Sequence, residues 1–365
     1  AVMKILLDNI IFSIQKTGGI SVYWTELLKR ILSDVEYDYQ CYEMKNAVSN
    51  YFRAKLEINP EKIIQEKELI GQLNRIFYVV KSTKEPYIFH SSYYRPLVTT
   101  KNACIVTTIH DFTPEIIESG WKKRAVAIQK YNSIKNADLI ICVSKNTKKD
   151  LLKLYPEFSK KRIEVVYNGV NEAFMPLKKN DFSVKNKFQE VNLPYCIFVG
   201  KREGYKNFKF AVEYLATRKD LFLVIVGGGE LSKNDFDLLN SKLSNRYAIR
   251  LFLSVEELSL LYNFAEFLFY PSDYEGFGIP VLEAQKCGCP IIAQRTSSID
   301  ELIQDKNLLF PTLNFESIDV VRSYIAHNKE KIVYEGIENA KQFTWDKTYE
   351  QHKHLYRTLK HNKFD

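Results

Sequence analysis

No apolar run in this 365-residue sequence approaches the ~18 residues that a membrane-spanning helix needs, so no such helix is expected. Glycine and proline are scarce, 14 and 11 residues, which excludes collagen-like and low-complexity chains. Cysteine is limited to six scattered residues, too dispersed for a disulfide framework. Cys104, Cys142 and Cys196 each lie in an apolar, strand-like run and are expected as buried, reduced thiols. Cys287-Gly288-Cys289 lacks zinc-site spacing and a second pair, and reads as a tight helix-to-strand turn. Met3-Lys4-Ile5-Leu6-Leu7-Asp8 has too short an apolar core for a signal peptide and reads as the start of a first strand, Lys4 to Ile11. The expected location is cytoplasmic.

What is present suits a soluble globular chain long enough for two sizeable cores, with 45% hydrophobic and 26% charged residues. Strand-like and helix-like segments alternate throughout, which predicts an α/β fold with parallel sheets. Residues 43–85 are polar and helical in pattern. The net charge of +8 is uneven: residues 1–174 hold 26 Lys and Arg against 19 Asp and Glu. Trp121-Lys122-Lys123-Arg124 opens a helical stretch with Lys130 and Lys135, and a second basic segment runs from Lys145 to Arg162. Such patches favour an anionic membrane surface or a lipid diphosphate. No recognisable nucleic-acid module accompanies them, so nucleic acid is not an expected partner.

The chain is organised around Ser272-Asp273-Tyr274-Glu275-Gly276-Phe277-Gly278-Ile279-Pro280-Val281-Leu282-Glu283. An apolar strand precedes it, Gly276 and Gly278 permit a tight turn, and Pro280 suits the first turn of a helix. Strand, glycine turn and helix start aim amide N–H groups and a positive dipole end at one spot, as a diphosphate requires. Glu275 and Glu283 are hydroxyl acceptors, fit for ribose or hexose. Upstream, Tyr195 to Val199 reads as a buried strand, followed by Gly200-Lys201-Arg202-Glu203-Gly204-Tyr205-Lys206. These cations can fold back over the strand end, where a diphosphate would lie. Lys201 and Arg202 both qualify as its first clamp, and fork geometry favours Arg202.

Glu275 and Glu283 around Gly-Phe-Gly-Ile-Pro resemble the paired-glutamate motif of the retaining glycosyltransferases of family 4. The resemblance covers essentially the whole chain. It implies the GT-B fold, two Rossmann-like domains facing each other across a deep cleft, with the C-terminal helix crossing back to the N-terminal domain. It places an acceptor-binding domain at 1–174 plus 345–365, and a nucleotide-sugar domain at 175–344. It implies that Gly18-Gly19 before a helix face the donor diphosphate, that Lys206 grips it, and that Leu253, in a short strand from Arg250 to Ser254, lines the nucleobase. Gly200, Gly276, Phe277, Gly278, Ile279 and Val281 complete the donor set, with Glu275 on the hexose and Glu283 on the ribose.

His110-Asp111 ends the strand-like run Ile105 to Ile109, where open α/β sheets place ligands. By resemblance His110 stands beside the reacting sugar, making His110, Asp111, Arg202, Lys206 and Glu275 the catalytic candidates. Ser92-Tyr93-Tyr94-Arg95 follows another short strand and reads as an acceptor loop, because aromatics stack on sugar faces and Arg recognises anions. No Asp-x-Asp pair follows a suitable strand, so cations and dipoles, not a divalent metal or other cofactor, are expected to carry the leaving diphosphate.

The expected reaction is hexosyl transfer with retention, from GDP-mannose, to a saccharide or polyprenyl-diphosphate-linked acceptor in surface polysaccharide (O-antigen or capsule) assembly. The alternatives are a UDP-sugar donor, a nucleotide-sugar epimerase, and a non-catalytic membrane-docked sugar-nucleotide binder.

Overall fold

The computed structural model describes residues 2–66, 79, 84–98, 101–117, 120–178, 187–191, 194–202 and 204–364. The chain divides into two compact units, Ala1–Gly169 with Trp345–Asp365, and Val170–Thr344. The division falls before the turn at Phe174, because the Val170 N–H donates to the Phe343 carbonyl and the Phe174 ring packs on Tyr262.

The first unit is a seven-stranded sheet in the order β3-β2-β1-β4-β5-β6-β7. Its strands are β1 (Met3–Asp8), β2 (Tyr37–Met44), β3 (Ile63–Glu66), β4 (Tyr87–Ser91), β5 (Ala103–Ile109), β6 (Leu139–Cys142) and β7 (Ile163–Val165). Every pairing is parallel. Strands β4, β5 and β6 are buried along their whole length, as expected for a sheet covered on both faces. The second unit is a six-stranded parallel sheet ordered β10-β9-β8-β11-β12-β13. It comprises β8 (Tyr195–Val199), β9 (Phe222–Val226), β10 (Tyr247–Arg250), β11 (Phe267–Tyr270), β12 (Ile291–Gln294) and β13 (Leu309–Phe310).

In both sheets the strand order reverses direction beside the first strand, between β1 and β4 and between β8 and β11. Crevices at such switch points, at the carboxyl ends of the strands, are where open α/β sheets bind ligands. The sequence motifs sit there: Gly18-Gly19 after β1 and Ser92–Arg95 after β4 in one unit, Gly200–Lys206 after β8 and Ser272–Gly278 after β11 in the other.

Several expected elements differ. The first strand ends at Asp8, and Ile11 already begins a short helix. Residues 43–66 are not helical: they finish β2, pass through three 3-10 turns and form β3. Residues 67–78 and 80–83 of that stretch lie outside the described residues. The strand expected from Arg250 to Ser254 is displaced to Tyr247–Arg250, because Ser254 instead caps helix Val255–Phe264 in a capping box with Glu257. The C-terminal helix α6 (Trp345–Phe364) belongs to the first unit, where it packs on β4, β5 and the helix after β1, α1 (Gly19–Ser33). The remaining labels are α2 (Trp121–Asn136), α3 (Phe208–Ala216), α4 (Val255–Phe264) and α5 (Ile279–Lys286). All six cysteines are free and buried.

Candidate active site

In the second unit, β8 runs into Gly200, whose φ of +113° lies in the region only glycine enters easily. A Cβ there would lie 4.0 Å from the Lys206 ammonium, so Gly200 borders that cation. Lys206 ends a 3-10 turn and forms an ion pair with Glu275, with both side chains about nine-tenths buried. Its ammonium also lies 5.4 and 5.2 Å from the ring centroids of Tyr205 and Tyr270. Asn207 and the Asp273 amide bind the two loops together, at 2.8 Å each, through the Pro271 and Tyr205 carbonyls.

On the other side the Glu275 backbone N–H donates to the Ser297 hydroxyl oxygen, 2.8 Å. Ser298 donates to the Glu275 and Phe277 carbonyls. Gly278 then turns the chain at φ +104°, where a Cβ would meet Ile299 Cδ1 at 2.7 Å. Pro280 has no N–H and the Val281 N–H is taken by the Gly278 carbonyl, so Ile279 is the first-turn donor of α5 that can face an anion. Val281 itself is fully buried, as is most of Phe277, whose ring packs on Phe343. These two support the turn; their side chains do not face a ligand.

Glu283, one turn into α5, is half-buried and accepts from Tyr262 at 3.1 Å. Burial pushes its carboxyl up to about 7, against the opposing pull of the Tyr262 hydroxyl. A carboxyl raised in the folded state takes up a proton on folding, so its share of stability falls as pH rises from about 4.5 towards 7. Glu283→Gln is therefore expected to gain about 1–2 kcal/mol over the wild type at pH 8 and little at pH 5, after allowance for half-burial. Melting curves at the two pH values check this.

The two candidates for the first phosphate clamp have different occupations. Lys201 is exposed. Arg202 donates to the carbonyls of Gly227 (2.9 Å), Gly229 (2.6 Å) and Glu230 (2.8 Å), and its Nε lies 3.4 Å from Asp235. Gly228 lies beneath it, so close that a Cβ would sit 2.4 Å from the Gly200 carbonyl oxygen. The Arg202 fork thus holds the glycine turn after β9 against the Gly200 loop, and does not present itself to phosphate. Leu253 is half-buried in the loop before α4; the exposed ring beside it is Phe252, 69% accessible, which sequence reasoning passed over. An aromatic one residue from the expected nucleobase edge was the available signal.

In the first unit Gly18 caps α1 and Gly19 is its first residue. His110 follows β5 directly and is 8% exposed. Its Nε2 is buried and meets no hydrogen-bond partner among the described residues. Its ring stands edge-on to Tyr23, centroids 4.9 Å apart, and the His110 backbone N–H donates to the Tyr94 hydroxyl at 3.3 Å. Burial, then the Lys130 charge, then His352 push the imidazole down to about 3, so it is neutral at pH 7. Asp111 accepts from the Thr113 N–H, and its carbonyl from Lys130 at 2.7 Å.

The expected acceptor loop is largely internal structure. The Ser92 hydroxyl accepts from the Ile11 N–H, and the Tyr94 ring is buried. Arg95 has a side chain 1% exposed, pairs with Glu66 through two contacts of 2.7 and 2.6 Å, and faces Asp8 at 3.5 Å. Its guanidinium joins β1 to β3 and is not offered to an acceptor. Tyr93 is the half-buried member of the four. The basic patch is likewise thinner than expected, since Lys130 is buried against Glu115, and Lys148 and Lys161 bond carbonyls of Ile163 and Ala137. The Lys122 side chain lies outside the described residues.

Two family models cover most of the chain: Glycosyltransferase Family 4 at residues 17–174 and Glycosyl transferases group 1 at 179–343. The chain is a glycosyltransferase with a Family 4 domain followed by a group 1 domain. This glycosyltransferase is 24% identical, over 85% of its length and 84% of the relative's, to the O-antigen chain mannosyltransferase B of Escherichia coli. Its fold matches a sucrose-phosphate synthase from Thermosynechococcus elongatus, with TM-score 0.74, 18% identity and coverage of 98% and 99% of the two chains. It also matches Anabaena HepE, solved with UDP and glucose, with TM-score 0.69, 15% identity and coverage of 97% and 99%. The GT-B fold is therefore shared across the whole chain.

Proposed function

We propose that this glycosyltransferase moves a hexose, with mannose from GDP-mannose as the first choice, onto a saccharide or polyprenyl-diphosphate-linked acceptor of a surface polysaccharide. The observation that carries the proposal is the Lys206–Glu275 pair at the β8/β11 switch point, with Gly200 bordering the ammonium. A diphosphate arriving there meets Lys206 and the start of α5, while Glu275 and Glu283 accept sugar hydroxyls. Mannose is favoured by the mannosyltransferase relative. A UDP-linked sugar is the second reading, favoured by the UDP complex of a structural neighbour.

The step proposed is a same-face displacement. The acceptor hydroxyl oxygen bonds to the anomeric carbon as the bond from that carbon to the phosphate oxygen breaks, and the hydroxyl proton passes to the departing phosphate. Lys206 and the amide dipole of α5 take up the charge growing on that phosphate. The neutral imidazole of His110, with Nε2 unpaired, is the first-unit group assigned to the sugar. Retention and independence of divalent ions both follow from this scheme. A thermal-shift panel of GDP-mannose, UDP-glucose, UDP-N-acetylglucosamine and UDP-galactose, then turnover with EDTA present, tests it. GDP-mannose should raise the Tm most, and the product should keep the donor's anomeric configuration. Turnover that vanishes with EDTA, or an inverted product, would refute the scheme; turnover without acceptor would favour an epimerase.

Membrane contact is part of the proposal. Among the described residues no helix is long and apolar enough to cross a membrane. Trp121 and Ile128 of α2 and Ile116 and Ile117 before it are exposed, beside the exposed cations Arg124 and Lys135. Apolar side chains interleaved with cations suit the interface of an anionic bilayer. Sedimentation with phosphatidylglycerol vesicles is expected to retain the protein in low salt and lose it at high salt, with phosphatidylcholine vesicles retaining little.

A further inference from the structure

Helix α6 brings Thr348, His352 and Tyr356 onto one face, four residues apart, and His352 and Tyr356 are fully buried. Opposite them lie Tyr23 of α1, His90 of β4 and Thr108 of β5, all buried. Five hydrogen bonds join the six. His352 Nδ1 is 2.8 Å from the Thr348 carbonyl and its Nε2 is 2.7 Å from the Tyr23 hydroxyl. Tyr23 meets Thr108 at 3.0 Å, Thr108 meets His90 Nε2 at 2.9 Å, and His90 Nδ1 meets the Tyr356 hydroxyl at 2.6 Å.

The Thr348 carbonyl only accepts, so His352 carries its proton on Nδ1. Burial pushes His352 down to about 4 and His90 well below the usual imidazole range, so both are neutral near pH 7. His352 Nε2 must then accept from Tyr23. Tyr23, having donated, accepts from Thr108; Thr108 accepts from His90 Nε2–H; and His90 Nδ1 accepts from Tyr356. Each proton has one place, and the chain runs one way, from α6 through the sheet and back to α6.

Tyr23 is the middle of that chain and also the ring against which His110 stands edge-on. We propose that the C-terminal helix positions His110, with Tyr23 and His352 as positioning residues whose one-way hydrogen-bond chain fixes the wall beside the imidazole. The proposal rests on the reading of His110 as the residue beside the transferred sugar. A ring held at both ends of its hydroxyl loses the freedom to swing, and a misplaced neighbour of a reacting centre costs rate more than binding.

The chain has six histidines, few enough for each imidazole to be assigned by single substitutions in nitrogen-15 spectra of the full protein. In the wild type His352 is expected as the Nδ1–H tautomer and His90 as the Nε2–H tautomer. Tyr23→Phe keeps the ring and removes the hydroxyl; it should shift the Nε2 resonances of both His352 and His110. Its kcat, with whichever of GDP-mannose or UDP-glucose is turned over, should drop about tenfold while the donor KM stays within about twofold. Thr108→Val cuts the chain elsewhere and should shift His90 and His110. The reverse tautomers in the wild type, or His110 resonances unmoved in both variants, would overturn the wiring. Full transfer by His110→Ala would overturn instead the assignment of His110 on which the proposal rests, and the spectra distinguish the two failures.

Discussion

Lys206→Ala is expected to lower kcat/KM for glycosyl transfer by about 10²–10³-fold, or ~3–4 kcal/mol of transition-state stabilisation. In the proposed step the side chain would meet the growing negative charge of the leaving phosphate from a nearly dry position, where one ammonium acts far more strongly than in water. The substitution also strands Glu275, and that second effect can be separated. If the loss came from an unpaired carboxylate repelling the diphosphate, the double variant Lys206→Ala, Glu275→Gln would recover most of the activity. The phosphate role predicts that it recovers little. Steady-state rates of the two variants, with melting curves to confirm equal folding, decide between them.

Arg95→Ala is expected to cost about 3–5 kcal/mol of stability, because removing one partner of a buried ion pair leaves charge without compensation. Asp8 and Glu66 would both face a cavity where the guanidinium stood. Burial already raises the Asp8 carboxyl above its ordinary range, against the pull of Arg95. With Arg95 gone the folded protein prefers Asp8 protonated, so the deficit should be smaller near pH 4 than at pH 8. Urea denaturation at the two pH values measures it. A residue that merely contacted an acceptor sugar would show lost activity and an unchanged midpoint.

Arg95 also marks the limit of what the sequence discloses. Its neighbours along the chain, Ser92, Tyr93 and Tyr94, have the composition of a sugar-binding loop. The residues that claim it, Asp8 and Glu66, lie on other strands, and β3 was hidden in a segment of helical polarity. Arg202 follows the same logic: its cationic spacing was legible, but the carbonyls of Gly227, Gly229 and Glu230 that engage it come from a turn 25 or more residues away. Local signals fared better. The strand–glycine–helix pattern around Gly278 and the strand–glycine–cation pattern around Gly200 are written in consecutive residues, and both lie at switch points of parallel sheets. Lys206 and Glu275 each stand out from such a local pattern, but their ion pair does not; it arises because β8 and β11 are neighbours in the sheet. The Tyr23–His352 network joins residues 329 apart, and no sequence spacing announces it.

The central claim is that the second unit receives the diphosphate of a sugar nucleotide between Gly200, Lys206 and the start of α5. A crystal of the protein soaked with GDP or UDP tests this most directly. The account predicts phosphate oxygens within hydrogen-bond reach of Lys206 Nζ and the Ile279 N–H, and ribose hydroxyls on Glu283. A nucleotide lodged elsewhere on the unit, with Lys206 still closed on Glu275, would contradict it.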